Sequence, residues 1–461
     1  MSEQTTASER PTTELASFVA SLQLEDVPVE TRGRAKQLLL DTLACAIAAG
    51  GGEELPQIEA FADALGGGDE ATVIGDARRR SLAAATLVNG YRVTAITACD
   101  VYTPAHCHVT PEVVPPLLGI AERDAKSGRD VLRALVGGLE VATRTARGLN
   151  YAEFRKRGWH APGVVGPFGG SAAVASLLGL DGIETRNALA LAGSQSAGTW
   201  AAWGTPTVKF HQARGAMSGL LAGLLAAEGF RGSEEVLTHP DGGIYTTYAG
   251  GGDPAATVER LGEQWELMQI SMRLWPSGTP LQPVISALFA LIERDVIDPS
   301  RIERVTISVP PHVHRAHARF GVPDGTFIAL LSIPYVVSVI LHDKAAWVAQ
   351  FAADRYRDPE LARFIEQRIE LRADETLKVD GARVEVVDTD STRHAAEVDV
   401  AKGHPRDPIT HAELEAKVRR CADDVIGKSA TQELIERVMA IEAESSVAAI
   451  LALVRPEHAR A

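Results

Sequence analysis

Aromatic side chains are scarce in this chain, 5% of 461 residues, so its cores must be built mainly from Ala, Leu, Val and Ile. Tracts such as Leu82-Ala83-Ala84-Ala85 and Ala172-Ala173-Val174-Ala175 suit closely packed helices, Ala having the best helix propensity. Cysteine is equally rare. Cys45, Cys99, Cys107 and Cys421 are too few for a disulfide framework, and Cys45 lies in an apolar helical run as a small core residue. Positive charge is in deficit: the net charge is −14 with no basic stripe to offset it. Nucleic acid is therefore not an expected partner, although Lys and Arg gathered locally can still bind an anion. No membrane-spanning apolar run is read, and the polar first dozen residues, expected to be disordered, lack a signal-peptide stretch. The expected location is the cytoplasm. No repeat period recurs, which argues against a solenoid.

The length suggests about two to three domains. Residues 13 to about 268 read as helix after helix, with apolar stripes at helical spacing in Glu30 to Ala49 and Val131 to Ala146. Gly163 to Leu180 and Arg186 to Ala197 are rich in Gly and Ala, and Ala213 to Gly229 ends on a glycine that suits a C-cap. Near Trp275 the character changes. Arg304 to Val309 alternates and stops at Pro310-Pro311 as a strand does, and Thr376 to Val379, Ala382 to Val387 and Ala396 to Val400 read as three more. Asp380-Gly381 is read as the turn between two of them. Leu281 to Glu293 and Leu330 to Leu341 are helical, and helix returns in Ala412 to Ala422 and Gln432 to Ala443. The expected fold is mainly α: a large all-α helical domain, residues 1–268 plus 408–461, with a smaller α+β lid domain, residues 269–407, inserted in it. A cleft between two such domains is a common place for a site.

Chemistry concentrates around Asn89-Gly90-Tyr91, Asp100, His106 and His108, just ahead of the apolar segment that holds Pro115 and Ala121-Glu122. Groups that hold or move protons seldom crowd beside a core segment without a reason. In order, these and later marks resemble the MmgE/PrpD family, which contains 2-methylcitrate dehydratase, cis-aconitate decarboxylase and iminodisuccinate epimerase. The marks are Ala83 to Gly90, then His108-Val109-Thr110-Pro111 leading to Pro115 and Ala121-Glu122, and Gly158-Trp159-His160. Leu178 to Asp181, Lys209-Phe210-His211, Gly219 to Gly232, Ser332-Ile333-Pro334-Tyr335 and Gly403 to Pro408 follow. The resemblance covers nearly the whole chain. It implies a helical domain with an α+β lid, a homodimer, and catalysis with neither metal nor other cofactor on a small anionic carboxylate.

Such reactions add or remove a proton at a carbon near a carboxylate, so negative charge must be stabilised in a shielded place. His108 matches the family's histidine and suits a general acid or base; the plain alternative is a His capping the following helix. Asp100 matches a family acid that is usually doubled; it either orients a histidine or is a turn acid. His106 falls off the family position and is a weaker candidate for ligand contact. His160 precedes a helix N-terminus, which favours anions, or else bonds a loop carbonyl. Lys209 resembles a family lysine that holds a carboxylate or carries a proton, unless it is a solvated loop residue. Its spacing to His211 is one residue shorter than usual, which brings Arg214 in as an alternative cation. Arg273 stands where relatives commonly have Lys, with Thr279 and Gln282 at the later Arg and His positions. Arginine stays protonated, so it is expected to clamp a carboxylate rather than move protons. Tyr335 either donates to an oxyanion or is a core tyrosine.

Cys99, His106, Cys107 and His108 look superficially like a metal site, but adjacent strand side chains point apart and no second ligand cluster exists. His312, His314 and His317 read as a solvated turn, and Gly66-Gly67-Gly68 is not a phosphate loop. Three functions remain open on this reading: a lyase that dehydrates or decarboxylates a polycarboxylate, an epimerase or isomerase of a dicarboxylate, and a non-catalytic helical dimer. The altered Arg273 region leans toward the second, the resemblance toward the first, and His108, His160, Lys209 and Tyr335 count against the third.

Overall fold

The computed structural model describes residues 10–52 and 54–456; residues 1–9 of the polar N-terminal stretch lie outside them. The chain is mainly α-helical with only small sheets. It forms two units: residues up to Ile270 together with those from Thr410 on, and Ser271–Ile409.

The helices of the first unit that matter for the site are α1 (Val29–Ile47), α2 (Leu82–Ala95), α3 (Thr110–Arg123), α4 (Gly128–Gly148), α5 (Tyr151–Lys156), α6 (Ala161–Leu178), α7 (Gly182–Gly193) and α8 (Thr207–Ala227). Helix α6 contains Pro162, Pro167 and four glycines, a poor helix former on propensity alone. Packing decides in its favour. A Cβ on Gly169 would lie 2.9 Å from the Gly138 carbonyl, and one on Gly219 would lie 2.8 Å from the Gly170 Cα. Glycine thus lets α4, α6 and α8 cross almost backbone to backbone. By length and composition α6 is apolar enough to cross a membrane, contrary to the sequence reading, but 94% of it is buried inside the protein. Its apolar surface is spent on neighbouring helices.

In the second unit, α9 (Gln282–Arg294), α10 (Ile333–Asp343) and α11 (Pro359–Arg368) pack with a four-stranded sheet. Its strands are β1 (Ile302–Val309), β2 (Ile369–Ala373), β3 (Ala382–Asp388) and β4 (Arg393–Val398), in the order β2-β1-β3-β4. Strand β1 pairs parallel with β2 (Val305 with Ile369) and antiparallel with β3 (Ser308 with Arg383). Val305, Ile307 and Val309 alternate into the core, as the period of a strand requires. One expected strand is overturned: Thr376–Val379 is turn and bend, and the strand lies earlier, at Ile369–Ala373. His317 is not solvated either. It ends the short Pro311–His317 helix, buried, with its ring bonded to the Leu331 carbonyl at 2.9 Å. The last helices, α12 (His411–Ile426) and α13 (Lys428–Met439), belong to the first unit.

Candidate active site

The first unit holds seven of the nine residues singled out above. Tyr102 and Cys107 exchange backbone hydrogen bonds (2.7 and 3.1 Å) and close a tight loop. His106 sits at its exposed tip with φ 43°, its ring 5.2 Å from that of Tyr151. His108 leads directly into α3. Its Nδ1 lies 2.6 Å from the Asp100 main-chain carbonyl. A carbonyl only accepts, so Nδ1 carries the proton and Nε2 is the basic nitrogen of the neutral ring. The carboxylate of Asp100 is engaged elsewhere. It accepts from the backbone N–H of Val109 (3.1 Å) and Thr110 (3.2 Å) and from the Thr110 hydroxyl, so it caps α3. Full burial pushes the Asp100 carboxyl up to about 6, against the pull of those donors. Asp100 therefore acts on both choices at once: its main chain holds the imidazole and its side chain holds the helix.

His160 is the N-cap of α6, and segment 158–160 is tied to segment 198–200. His160 N–H donates to Gly198 O (2.9 Å) and Trp200 N–H to Gly158 O (2.7 Å). This brings the Trp200 ring to 5.8 Å from the His160 ring. His160 Nδ1 faces His211 Nδ1 at 3.1 Å. One nitrogen must donate and the other accept, so the two rings share a single bridging proton. Burial, then His211, His108 and Arg155, hold His160 well below its ordinary 6.5. Burial and then Arg214 lower His211 as well. The pair is neutral around pH 7.

Helix α8 begins at Thr207, not Ala213, which corrects the register of two expected residues. Lys209 lies in its first turn, buried, and its ammonium donates to the Ala95 carbonyl (2.5 Å) at the end of α2, where a cation suits the helix dipole. It is neither in a loop nor solvated. Arg214 directs its guanidinium at the carbonyls of Gln195 (2.6 Å), Ala197 (2.7 Å) and Gly163 (2.9 Å). It clips the 195–198 segment beneath the histidine pair.

Arg273 and Tyr335 belong to the second unit. Arg273 is buried and donates to the Ser277 carbonyl at 2.9 Å. Gln282, at an expected family position, donates to the carbonyls of Trp275 and Ser277. The Tyr335 ring is fully buried in the core of that unit, and its hydroxyl donates to the Gln350 carbonyl. Among the described residues, no three His, Cys, Asp or Glu groups gather as a metal-binding cluster.

Two residues of the first unit escaped the sequence reading. Glu112, on the first turn of α3, is fully buried, and neither carboxyl oxygen has a hydrogen-bond partner. It lies where Gly166 and Gly215 leave room, a Cβ on Gly166 falling 2.3 Å from its Cγ. Burial first, and Asp100 next, raise its pKa well above 4.5. In the sequence it reads as an ordinary first-turn acid. Arg155, on α5, sits over the Trp200 ring with its central carbon 3.8 Å from the ring centre. At the head of the run Arg155-Lys156-Arg157, it reads as part of a solvated basic stretch.

Comparison with known proteins decides the relationship. The sequence profile of the MmgE/PrpD N-terminal domain matches residues 13–257, more than half of the chain, and that of the C-terminal domain matches residues 275–442. The chain belongs to the MmgE/PrpD family. A cis-aconitate decarboxylase-like protein of Aspergillus oryzae is 29% identical over 97% of both chains. Cis-aconitate decarboxylases of Aspergillus terreus and Mus musculus are 25% and 26% identical, over 96% and 94% of this chain and 95% and 90% of theirs. As an MmgE/PrpD protein it is an enzyme of the lyase type.

Proposed function

We propose that this MmgE/PrpD enzyme moves a proton beside a carboxylate of a small di- or tricarboxylic acid, with decarboxylation of a cis-aconitate-type tricarboxylate as the specific reaction. The observation that carries the reading is His108, whose Nδ1 is pinned on the Asp100 carbonyl. That bond presents Nε2 as the proton-transfer atom and fixes the ring's orientation. In decarboxylation the bond between the carbon skeleton and the departing carboxylate breaks. Carbon dioxide leaves, and the bonding pair stays on the skeleton until a carbon takes up a proton. His108, once Nε2 has taken up a proton from solvent, is the group placed to deliver it.

The His160–His211 pair is the store from which that proton is replaced. Its depressed pKa values keep it neutral until an anionic substrate arrives, since negative charge nearby favours the imidazolium. The imidazolium formed then is a strong proton donor. Asp100, Lys209 and Arg214 serve this arrangement by position, through the carbonyls and N–H groups they hold. The names and spans of the relatives support the decarboxylation. The neutral histidine pair supports proton transfer without favouring any one acid.

The test is incubation of the full chain with a panel of di- and tricarboxylic acids in deuterated water. Release of carbon dioxide, with deuterium built into the product, is expected from at least one tricarboxylate. His108→Ala should cut that rate by about 10²–10⁴-fold with the far-ultraviolet helical signal unchanged. Deuterium exchange with neither gas release nor a new alkene absorbance would replace the lyase reading with an epimerase. No exchange, no turnover and an inert His108 would retire both.

A further inference from the structure

Binding a polyanion in a chain of net charge −14 requires cations kept available for it. Of the cations considered so far, each has a protein group to hold: Lys209 the Ala95 carbonyl, Arg214 the carbonyls of 163, 195 and 197, Arg273 the Ser277 carbonyl. Arg155 differs. Its helix neighbours Lys156 and Arg157 both lie within 4 Å of the carboxylate of Glu153 (3.8 and 3.3 Å). Among the described residues the Arg155 guanidinium forms no ion pair with a carboxylate and donates no side-chain hydrogen bond. What it has is the face of Trp200 at 3.8 Å, backed in turn by Trp203, whose ring is stacked on Trp200 at 5.7 Å. Stacking fixes the plane of a guanidinium and leaves the donors on its edge directed outward in a fork that matches a carboxylate. Both Arg155 and Trp200 are half-buried, so the fork is reachable while its charge is partly desolvated. Trp200 also touches the His160 ring (5.8 Å), and His160 bonds His211. Arginine, tryptophan and histidine pair thus form one continuous row.

We propose that Arg155, held over the Trp200 ring, receives a carboxylate of the substrate and restricts the site to small acids bearing two or more carboxylates. One carboxylate docks on the guanidinium while the reacting carbon lies toward the histidines. Identifying that ligand as the substrate rests on the lyase reading; that Arg155 binds a carboxylate at all does not.

The experiment titrates tricarballylate, a tricarboxylate with no alkene or hydroxyl to react, into the full chain, followed by tryptophan fluorescence and by thermal stability. Variants are Arg155→Met, Arg155→Lys and, as control, Arg157→Met, each checked by circular dichroism. Arg155→Met should weaken binding at least about tenfold, the size of a charge-assisted bidentate contact. Arg155→Lys should weaken it less, and Arg157→Met not at all. On a turned-over acid the same loss should fall on KM, with kcat changed by less than about threefold. Wild-type binding of tricarballylate by Arg155→Met overturns the proposal, as does a wild-type protein that binds none. Arg155-dependent binding without turnover of any acid would leave this inference standing and sink the lyase reading. Turnover with binding indifferent to Arg155 would do the reverse.

Discussion

The first unit buries two kinds of polar cluster, and their difference separates scaffold from chemistry. In one kind every charge is closed on itself. Lys417 on α12 meets Asp41 on α1 at 2.5 Å and the Ala98 carbonyl at 2.8 Å, and both charged side chains are about 1% exposed. Arg144 and Glu140, fully buried on α4, form another closed set. Arg144 also binds the carbonyls of Thr257, Glu259 and Gln264, while Glu140 accepts from the Leu267 N–H. In the other kind, around His108, acid–base groups are held away from their ordinary protonation. The histidine pair is neutral, Asp100 is raised to about 6, and Glu112 is buried with no partner for either oxygen. A completed ion pair tolerates nothing new. A neutral histidine pair and a buried acid without a hydrogen-bond partner are costly to keep, yet they can change charge when an anion enters.

The sharpest way to break this contrast is to open a closed pair. Burial works against the Lys417 ammonium, but Asp41 holds it charged. Lys417→Met strands a buried carboxylate, with an expected loss of about 3–5 kcal/mol in urea denaturation. Asp41→Leu/Lys417→Met should regain most of that loss, because replacing both members removes the stranded charge. Single and double variants of equal stability would show that this pair is not the closed structural unit described.

Much of the fold was legible in the sequence because apolar periodicity survives in a single chain. Helices α1, α4, α9, α12 and α13 and strands β1, β3 and β4 lie where the pattern puts them, within a few residues. The misses share a cause. Lys209 and His211 interrupt the apolar run that begins α8, so its start was read six residues late, and the register of two candidate residues went with it. Strand β2 follows α11 with no Gly or Pro between them, and nothing in Ile369–Ala373 announces the change of period. In the site, His108 and His160 stood out through residue type and spacing. Glu112 and Arg155 did not, because what distinguishes them is the lack of a partner. Neighbours 54 and 45 residues away, as Gly166 is from Glu112 and Trp200 from Arg155, are visible only once the chain is folded.

A second prediction sharpens the neutral side of the contrast. The Glu112 carboxyl titrates near 4.5 in the unfolded chain and well above it when folded, because burial and Asp100 penalise its charge. The folded state therefore holds more protons than the unfolded one above pH 4.5. Stability contributed by this group is full below that pH and falls as pH rises toward the folded value. Glu112→Met removes both unpaired oxygens at nearly constant shape. It should be at least as stable as the parent below about pH 4, and its advantage should grow by about 1–3 kcal/mol toward pH 7. Asp100 titrates in both proteins with the same sign, so the difference isolates Glu112. A pH-independent difference would show that Glu112 is not a buried neutral acid in the folded chain.

The smallest effect is expected two residues from the largest functional one proposed for a cation. Arg157 pairs with Glu153 at 3.3 Å across one helical turn, with both side chains about 40% exposed. An exposed pair of this kind is worth about 0.3–0.5 kcal/mol, and less in salt. Arg157→Ala should thus leave the melting temperature within about 1 °C and leave the KM for any carboxylate unchanged. Arg155 carries the same charge one residue inside the end of that short helix, and its setting differs: tryptophan face against carboxylate partner. If Arg157→Ala weakened acid binding as much as loss of Arg155, the effect would be the field of a basic helix rather than a shaped contact. The distinction between charge that is merely present and charge that is held in readiness would then fail at the place where it is easiest to test.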